Sequence, residues 1–375
     1  MPEDDIVEDV SVSQMPWMVT LGGFKTINNW IHQCGGSLVT SKHVLTSAHC
    51  YEIMTRAEEY IRGPQMRLGI SDFWDARSGI TRTIIEFLIH PRFQDNAYFD
   101  AGVAVSDQLI SYTPKIRPIC LPMRPVDDVD AYAEDFVNLA GWGLKYDRVS
   151  KQYKAKSGLK LVNLQVNPKY VCEDIYSPEN LKNLNIPEFR LRQQLPNGFT
   201  RTVTCVGNDF DFEEGSCEGD SGSPVIRRVS ETSRKEPYFE QAFIVSTGLD
   251  CKLKATIYTR VGERNILSWI QKVTNTEPLI MVAGGYVGPQ YSASNLTNKV
   301  ELIGAKYDRQ CSKAINTIIG NGYNGDLDGR QFTFNDGEII GSTGQYVKDA
   351  AVVCGGKGIL GNSNRCYEYH PVLSR

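Results

Sequence analysis

The chain has 375 residues, with 40 Lys and Arg against 44 Asp and Glu, a formal net charge of −4, and 22% charged residues. This slightly acidic, near-balanced charge offers no basic patch for nucleic acid or an anionic membrane surface, and no apolar run approaches the roughly 18 residues that span a bilayer, so both partners are excluded. The length exceeds one ordinary domain and predicts two.

In chain order, the first residues are acidic and contain no apolar core of a secretory leader, so the expectation is that the leader and the true start lie elsewhere. Alternating apolar and polar residues then predict short strands through about residue 260, clearest in Thr83-Ile84-Ile85-Glu86-Phe87-Leu88-Ile89 and Leu159-Lys160-Leu161-Val162-Asn163-Leu164. A helix is predicted from about Val261 to Val273, where Leu267, Ile270 and Val273 share one face. After Asn275-Thr276-Glu277-Pro278 the composition turns glycine-rich, which places a boundary between domains 1–278 and 279–375.

Three segments carry chemistry. Cys217-Glu218-Gly219-Asp220-Ser221-Gly222-Ser223-Pro224 sets a serine between glycines after an acidic residue, Thr46-Ser47-Ala48-His49-Cys50 supplies an imidazole, and Tyr98-Phe99-Asp100-Ala101-Gly102-Val103 supplies a carboxylate. A serine hydroxyl is a poor nucleophile at neutral pH. It needs a base to take its proton and a carboxylate to fix that base's tautomer.

In the order His, Asp, Ser these segments resemble the chymotrypsin/trypsin family of serine endopeptidases, and the likeness runs from about residue 8 to about residue 275. Met15-Pro16-Trp17-Met18-Val19, Cys34-Gly35-Gly36-Ser37-Leu38, Ile119-Cys120-Leu121-Pro122, Gly141-Trp142-Gly143 and Ile257-Tyr258-Thr259-Arg260-Val261 resemble further landmarks of that family, in register. The resemblance implies an all-β fold of two six-stranded antiparallel Greek-key barrels with a C-terminal helix. It also implies a secreted endopeptidase that acts on peptide or protein substrates without a cofactor or metal. Ser221 would attack, His49 would act as base and then acid, and Asp100 would orient His49. The N–H groups of Gly219 and Ser221 would bind the oxyanion, and Asp220 would pair with a freed amino terminus.

By the same resemblance the first substrate pocket has Gly215 as its floor and Gly248 and Thr256 as walls, with Ser246 on the substrate-binding strand and Glu218 at the rim. A floor without an aspartate gives Arg or Lys no charge partner, so the pocket looks elastase-like, suited to Ala, Val or Leu. Some features depart from the family pattern. Thr247 stands where an aromatic platform is usual. The 32 residues between Cys172 and Cys205 form a longer loop than is usual there, expected to border the cleft. No Arg or Lys precedes Ile6-Val7, where activation cleavage would fall.

The ten cysteines point to an oxidising compartment. The resemblance implies Cys34–Cys50, Cys172–Cys205 and Cys217–Cys251 pairs, and leaves Cys120 and Cys311 without an assigned partner. The C-x-x-C and H-x-x-x-H spacings of zinc sites are absent. Asn295-Leu296-Thr297 is a glycosylation sequon.

Beyond residue 278, Leu279–Tyr286 and Asn298–Leu302 are echoed by Ala350–Gly356 and Asn364–Tyr369. An apolar strand ending in a glycine pair resembles a kelch blade, in which Cys354 and Cys366 would bridge adjacent strands. Such a partial propeller implies a protein partner. The alternative to an enzyme is a non-catalytic protease homologue that serves as a binding or scaffold protein.

Overall fold

The computed structural model describes residues 7–274 except 57–59, 74, 76–77, 148–151, 155–157, 208–215, 230–237, 252 and 254, together with short stretches between 281 and 341. It divides into two compact units, residues 1–269 and 270–375.

An opening strand, β1 (Val7–Asp9), is followed by six strands that close a barrel: β2 (Met18–Thr26), β3 (Asn29–Leu38), β4 (His43–Thr46), β5 (Gln65–Leu68), β6 (Ile80–Ile89) and β7 (Gly102–Ser106). All pairings are antiparallel, in the order β2-β3-β4-β7-β6-β5. The interior is set by apolar residues on the inward face of each strand, among them Leu21, Leu38, Val44, Leu68 and Ala104, each fully buried. Burial of each large aliphatic contributes about 1.5–3 kcal/mol. The helix α1 (Cys50–Arg56) leaves the end of β4 and buries Met54 against the same core.

The second barrel is formed by β8 (Phe136–Gly141), β11 (Lys160–Val166), β12 (Val203–Gly207), β13 (Pro224–Val229), β14 (Tyr238–Thr247) and β15 (Ala255–Arg260), closed by the pairing of β8 with β11. Its core holds Val137, Leu139, Leu164, Val206, Val225 and Phe243. Strand β1 adds to β11 with Val7 opposite Val162. A hairpin of β9 (Lys145–Asp147) and β10 (Gln152–Lys154) projects between β8 and β11. The two barrels and the strands expected at 83–89 and 159–164 are thus as the sequence predicts.

Two details of the terminal helix differ from expectation. Helix α5 (Arg264–Thr274) starts three residues later than predicted, because the buried Glu263 carboxylate caps it by accepting the N–H groups of Asn265 (2.8 Å) and Ile266 (3.0 Å). Ile266 is fully buried and Val273 only half-buried, so the inward face is rotated from the predicted one.

The long Cys172–Cys205 segment folds into three short helices, α2 (Lys169–Ile175), α3 (Pro178–Asn183) and α4 (Glu188–Gln194). Pro168, Pro178 and Pro187 stand at their starts, where a missing N–H costs nothing. Leu181, Ile186, Leu195 and Phe199 bury this segment against Ala97 and Tyr98 of the loop that precedes β7.

Cys34–Cys50, Cys172–Cys205 and Cys217–Cys251 are disulfides, with Cα–Cα distances of 6.3, 5.6 and 5.2 Å. Cys120 is also disulfide-bonded.

In the C-terminal unit, β16 (Met281–Val282) pairs with β17 (Gly285–Tyr286), and β18 (Gly325–Leu327), β19 (Arg330–Asn335) and β20 (Glu338–Gly341) form a three-stranded meander. The repeats expected at 298–302, 350–356 and 364–369, with Cys311, Cys354, Cys366 and Asn295, lie outside the described residues. No helix among the described residues is long and apolar enough to cross a membrane.

Candidate active site

Asp100 is delivered by a strained turn. Phe99 takes a left-handed backbone (φ 56°) and its ring lies between His90, 4.9 Å away, and the Arg92 guanidinium, 4.1 Å from the ring centre. A left-handed conformation costs a residue of this kind roughly 1–2 kcal/mol, which the stacking offsets. The turn directs the Asp100 carboxylate inward, where its residue is 1% exposed.

There it accepts three hydrogen bonds. The His49 backbone N–H reaches Oδ1 at 3.0 Å, His49 Nδ1 lies 2.8 Å from Oδ2, and Ser246 Oγ donates to Oδ2 at 2.6 Å. Burial pushes the Asp100 carboxyl up, but the charge and hydrogen bonds of His49, with Ser246, outweigh it and hold the pKa below the ordinary value. For His49, burial acts downward and the charges of Asp100 and Asp95 act upward, with a net rise. A carboxylate on Nδ1 fixes the tautomer with the proton there, leaving Nε2 as the basic nitrogen.

The loop that carries Ser221 is held on both sides. Gly35 N–H donates to Ser221 O at 2.8 Å, Gly222 N–H to Val245 O at 2.8 Å, and Ser223 N–H to Asp220 O at 2.9 Å. Gly219 (φ 96°) and Gly222 (φ 78°) occupy backbone conformations that other residues rarely adopt. A Cβ on Gly222 would stand 2.0 Å from Thr46 Oγ1, so glycine is required there. Among the described residues, the N–H groups of Gly219 and Ser221 meet no acceptor.

Asp220 is buried behind this loop and accepts the N–H groups of Gly143 (2.8 Å) and Cys217 (3.1 Å). Burial raises its pKa to about 6 against the pull of those two donors. No cation pairs with it among the described residues. Next to it, His32 links the barrels: Nδ1 lies 2.7 Å from Thr20 Oγ1 and Nε2 2.7 Å from Gly219 O. Burial lowers the His32 pKa to about 4, so the ring is neutral.

A cleft of about 600 Å³ brings together His49, Asp100 and Ser221 with the expected pocket residues Ser246, Gly248, Thr256 and Glu218. The pocket is narrow at Thr256, whose methyl carbon lies 3.3 Å from where a side chain on Gly248 would begin. Gly215, the expected floor, lies outside the described residues; its neighbour Ser216 lines the cleft. Ser216 is held from behind by Tyr258, whose hydroxyl lies 3.0 Å from its Oγ.

The cleft also contains residues that the sequence did not single out, namely Asp95, Asn96, Gln194 and Asp250. Arg190 lines it as well, so the long segment borders the cleft as expected, through α4. The Ala97 N–H bond to Gln194 O (3.1 Å) and the Tyr98 hydroxyl bond to Gly198 O (2.7 Å) fix that wall. Cys34 and Cys50 stand close to His49, but their sulfurs are bonded to each other and offer no metal ligand.

A family model described as Trypsin matches residues 7–270. The chain is similar to the clotting factor G beta subunit of Tachypleus tridentatus, at 26% identity over 69% of this chain and 75% of the relative. It resembles the proclotting enzyme of the same organism at 28% identity, covering 70% of this chain and 64% of that relative, just under two thirds of its length. A venom protease of Bombus pensylvanicus is 30% identical over 66% of this chain and 89% of its own. The match to the family ends at residue 270, and nothing in these similarities supports the kelch resemblance beyond it.

Proposed function

The chain belongs to the trypsin family, and from that membership we propose that it is a serine endopeptidase in which Ser221 is the nucleophile, His49 the general base and Asp100 the residue that orients it. The observation that carries this reading is the relay from Ser246 Oγ through Asp100 to His49 Nδ1, in a cleft that Ser221 also lines.

In this mechanism Ser221 Oγ attacks the scissile carbonyl as His49 Nε2 takes its proton. The oxyanion that forms is received by the N–H groups of Gly219 and Ser221, and loss of one such donor costs about 3–4 kcal/mol of barrier lowering. His49 then gives the proton to the leaving amine, and water repeats the sequence on the acyl-enzyme. The close approach of Thr256 to Gly248 supports selection of small or medium apolar side chains such as Ala, Val or Leu before the scissile bond. Glu218 at the rim disfavours acidic substrate residues beside it. The disulfides fit an extracellular location. Residues 1–278 are the protease domain of this proposal and 279–375 a separate one, a division that the end of the family match supports.

A second reading, a non-catalytic homologue used as a binding scaffold, is favoured by Asp220, whose buried carboxylate has no cationic partner among the described residues. Treatment with a fluorophosphonate probe separates the two. Labelling that Ser221→Ala abolishes supports the enzyme, whereas a folded, disulfide-bonded protein that takes no label, even with an Ile-Val-Gly-Gly amino terminus supplied, is a scaffold.

A further inference from the structure

Phe99 is a bulky residue in a left-handed turn (φ 56°), a conformation that persists only under outside restraint, and the residue it delivers is Asp100. Ala101 N–H donates to Phe99 O at 2.7 Å and closes the turn around Asp100. The Phe99 ring is held by side chains, with the Arg92 guanidinium 4.1 Å from its centre and the His90 ring stacked on it at 4.9 Å, 14° from parallel.

His90 follows the last residue of β6, is 3% exposed, and has its polar groups committed. Its N–H donates to Ala101 O at 3.0 Å, and its carbonyl accepts the Phe93 N–H at 3.0 Å. In the ring, Nδ1 accepts the Arg92 N–H at 3.2 Å, and a hydrogen bond joins the ring to the backbone of Asn265 in α5. Trp269 of the same helix packs edge-on at 5.1 Å. One side chain thus ties the end of β6, the turn before β7 and helix α5 together directly behind Asp100.

This arrangement suits an uncharged ring. With Nδ1 an acceptor, the single proton of the neutral imidazole is on Nε2. A second proton would turn Nδ1 into a donor facing the Arg92 N–H, and would set a cation against a Phe99 ring that already carries the Arg92 guanidinium. The charged groups that act on the ring are Arg92, which opposes protonation, and Glu263, which favours it. Burial is the larger influence and holds the pKa below the ordinary imidazole value.

We propose that His90 is a positioning residue for the His49–Asp100 pair: its uncharged imidazole holds Phe99 in the turn that aims Asp100, and a proton on it releases that turn. The inference rests on the reading of His49, Asp100 and Ser221 as a triad, and adds to it regulation by acid through a residue that does not line the cleft.

The test is nuclear magnetic resonance of the full chain with isotope-labelled histidine, of which the sequence holds five residues. The His49 Nδ1–H bonded to Asp100 gives a low-field proton signal whether or not Ser221 is reactive. Protonation of His49 itself shifts this signal without removing it, because the imidazolium keeps the same hydrogen bond. In the wild type the signal should be sharp above neutrality and should be lost in step with protonation of His90. His90→Phe keeps an aromatic face on Phe99 and Trp269 but takes no proton, so the signal should survive to lower pH. His90→Gln drops the stack, and should broaden the signal even above neutrality and slow fluorophosphonate labelling about fivefold, the scale of one aromatic contact.

The wild-type titration needs no substitution, so it decides the matter even where a variant does not fold. The proposal is overturned if His90 takes its proton with the His49 signal unchanged, if the signal is lost at the same pH in His90→Phe, or if His90→Gln leaves it as sharp as in the wild type. A wild type that shows the coupled loss but takes no fluorophosphonate overturns the enzyme reading and leaves the positioning role supported, so the two failures are told apart.

Discussion

Asp220 gives the sharpest quantitative prediction. Its pKa rises from 3.8 to about 6 because burial outweighs the two backbone donors. At about 1.4 kcal/mol per pH unit, the difference is worth roughly 3 kcal/mol. The sign follows from linkage: the folded state binds this proton more tightly than the unfolded state does, so its stabilising effect is complete below pH 3.8 and is lost as pH rises through 6. Asp220→Asn removes the titration while keeping the side-chain shape. In urea unfolding from about pH 3.5 to 8, the wild type should lose roughly 3 kcal/mol relative to the variant, most steeply between about pH 4 and 6. His49, whose pKa is raised, and Asp100, whose pKa is lowered, are present in both proteins and cancel in the difference. Parallel curves would refute the reasoning. An α-amino group seated against the carboxylate would supply the countercharge and flatten the difference, which ties the measurement to activation.

Three further outcomes are expected. Ser246→Ala removes a 2.6 Å hydrogen bond to a buried carboxylate, and since such bonds are worth about 1.5–3 kcal/mol, the rate of fluorophosphonate labelling should fall roughly tenfold or more with little change in KM for a peptide substrate. Tyr98→Phe takes away the hydroxyl that joins Gly198 O and Asn197 N–H, which should cost about 1–2 kcal/mol in denaturant unfolding and speed amide exchange between residues 195 and 199. Thr256→Gly widens the pocket, so profiling with peptide substrates should show a shift from Ala and Val toward Leu, Met and Phe at about 1–3 kcal/mol per added methylene accommodated.

The catalytic candidates were legible as candidates because each sits in a short segment whose residue types already state a chemistry, and the cleft-lining Ser246, Gly248, Thr256 and Glu218 through the family resemblance. The remaining cleft residues were not. Gln194 and Asp95 reach the cleft only because the Cys172–Cys205 segment folds into three helices that dock on the loop before β7, a tertiary event without a local signal. His32 belongs to a half-exposed strand, and its bond to a carbonyl 187 residues away is invisible in either segment alone. The start of α5 lies later than apolar spacing predicts because that spacing carries no trace of the Glu263 carboxylate, which caps the helix through the N–H groups of Asn265 and Ile266. The glycine pairs beyond residue 278 repeat in sequence, but a repeat is evidence of a blade only when strands pair around it.

The neutral imidazole of His32 acts as a clasp. It is stacked on Phe73 at 5.8 Å, edge-on to Trp142 at 5.8 Å, and holds Thr20 on β2 to the carbonyl of Gly219. A strand of the first barrel therefore cannot separate without pulling on the loop that presents Ser221. Local opening of that barrel and loss of the geometry around Ser221 should accordingly occur in one cooperative step, so that any probe labelling of Ser221 reports the integrity of a barrel to which it does not belong.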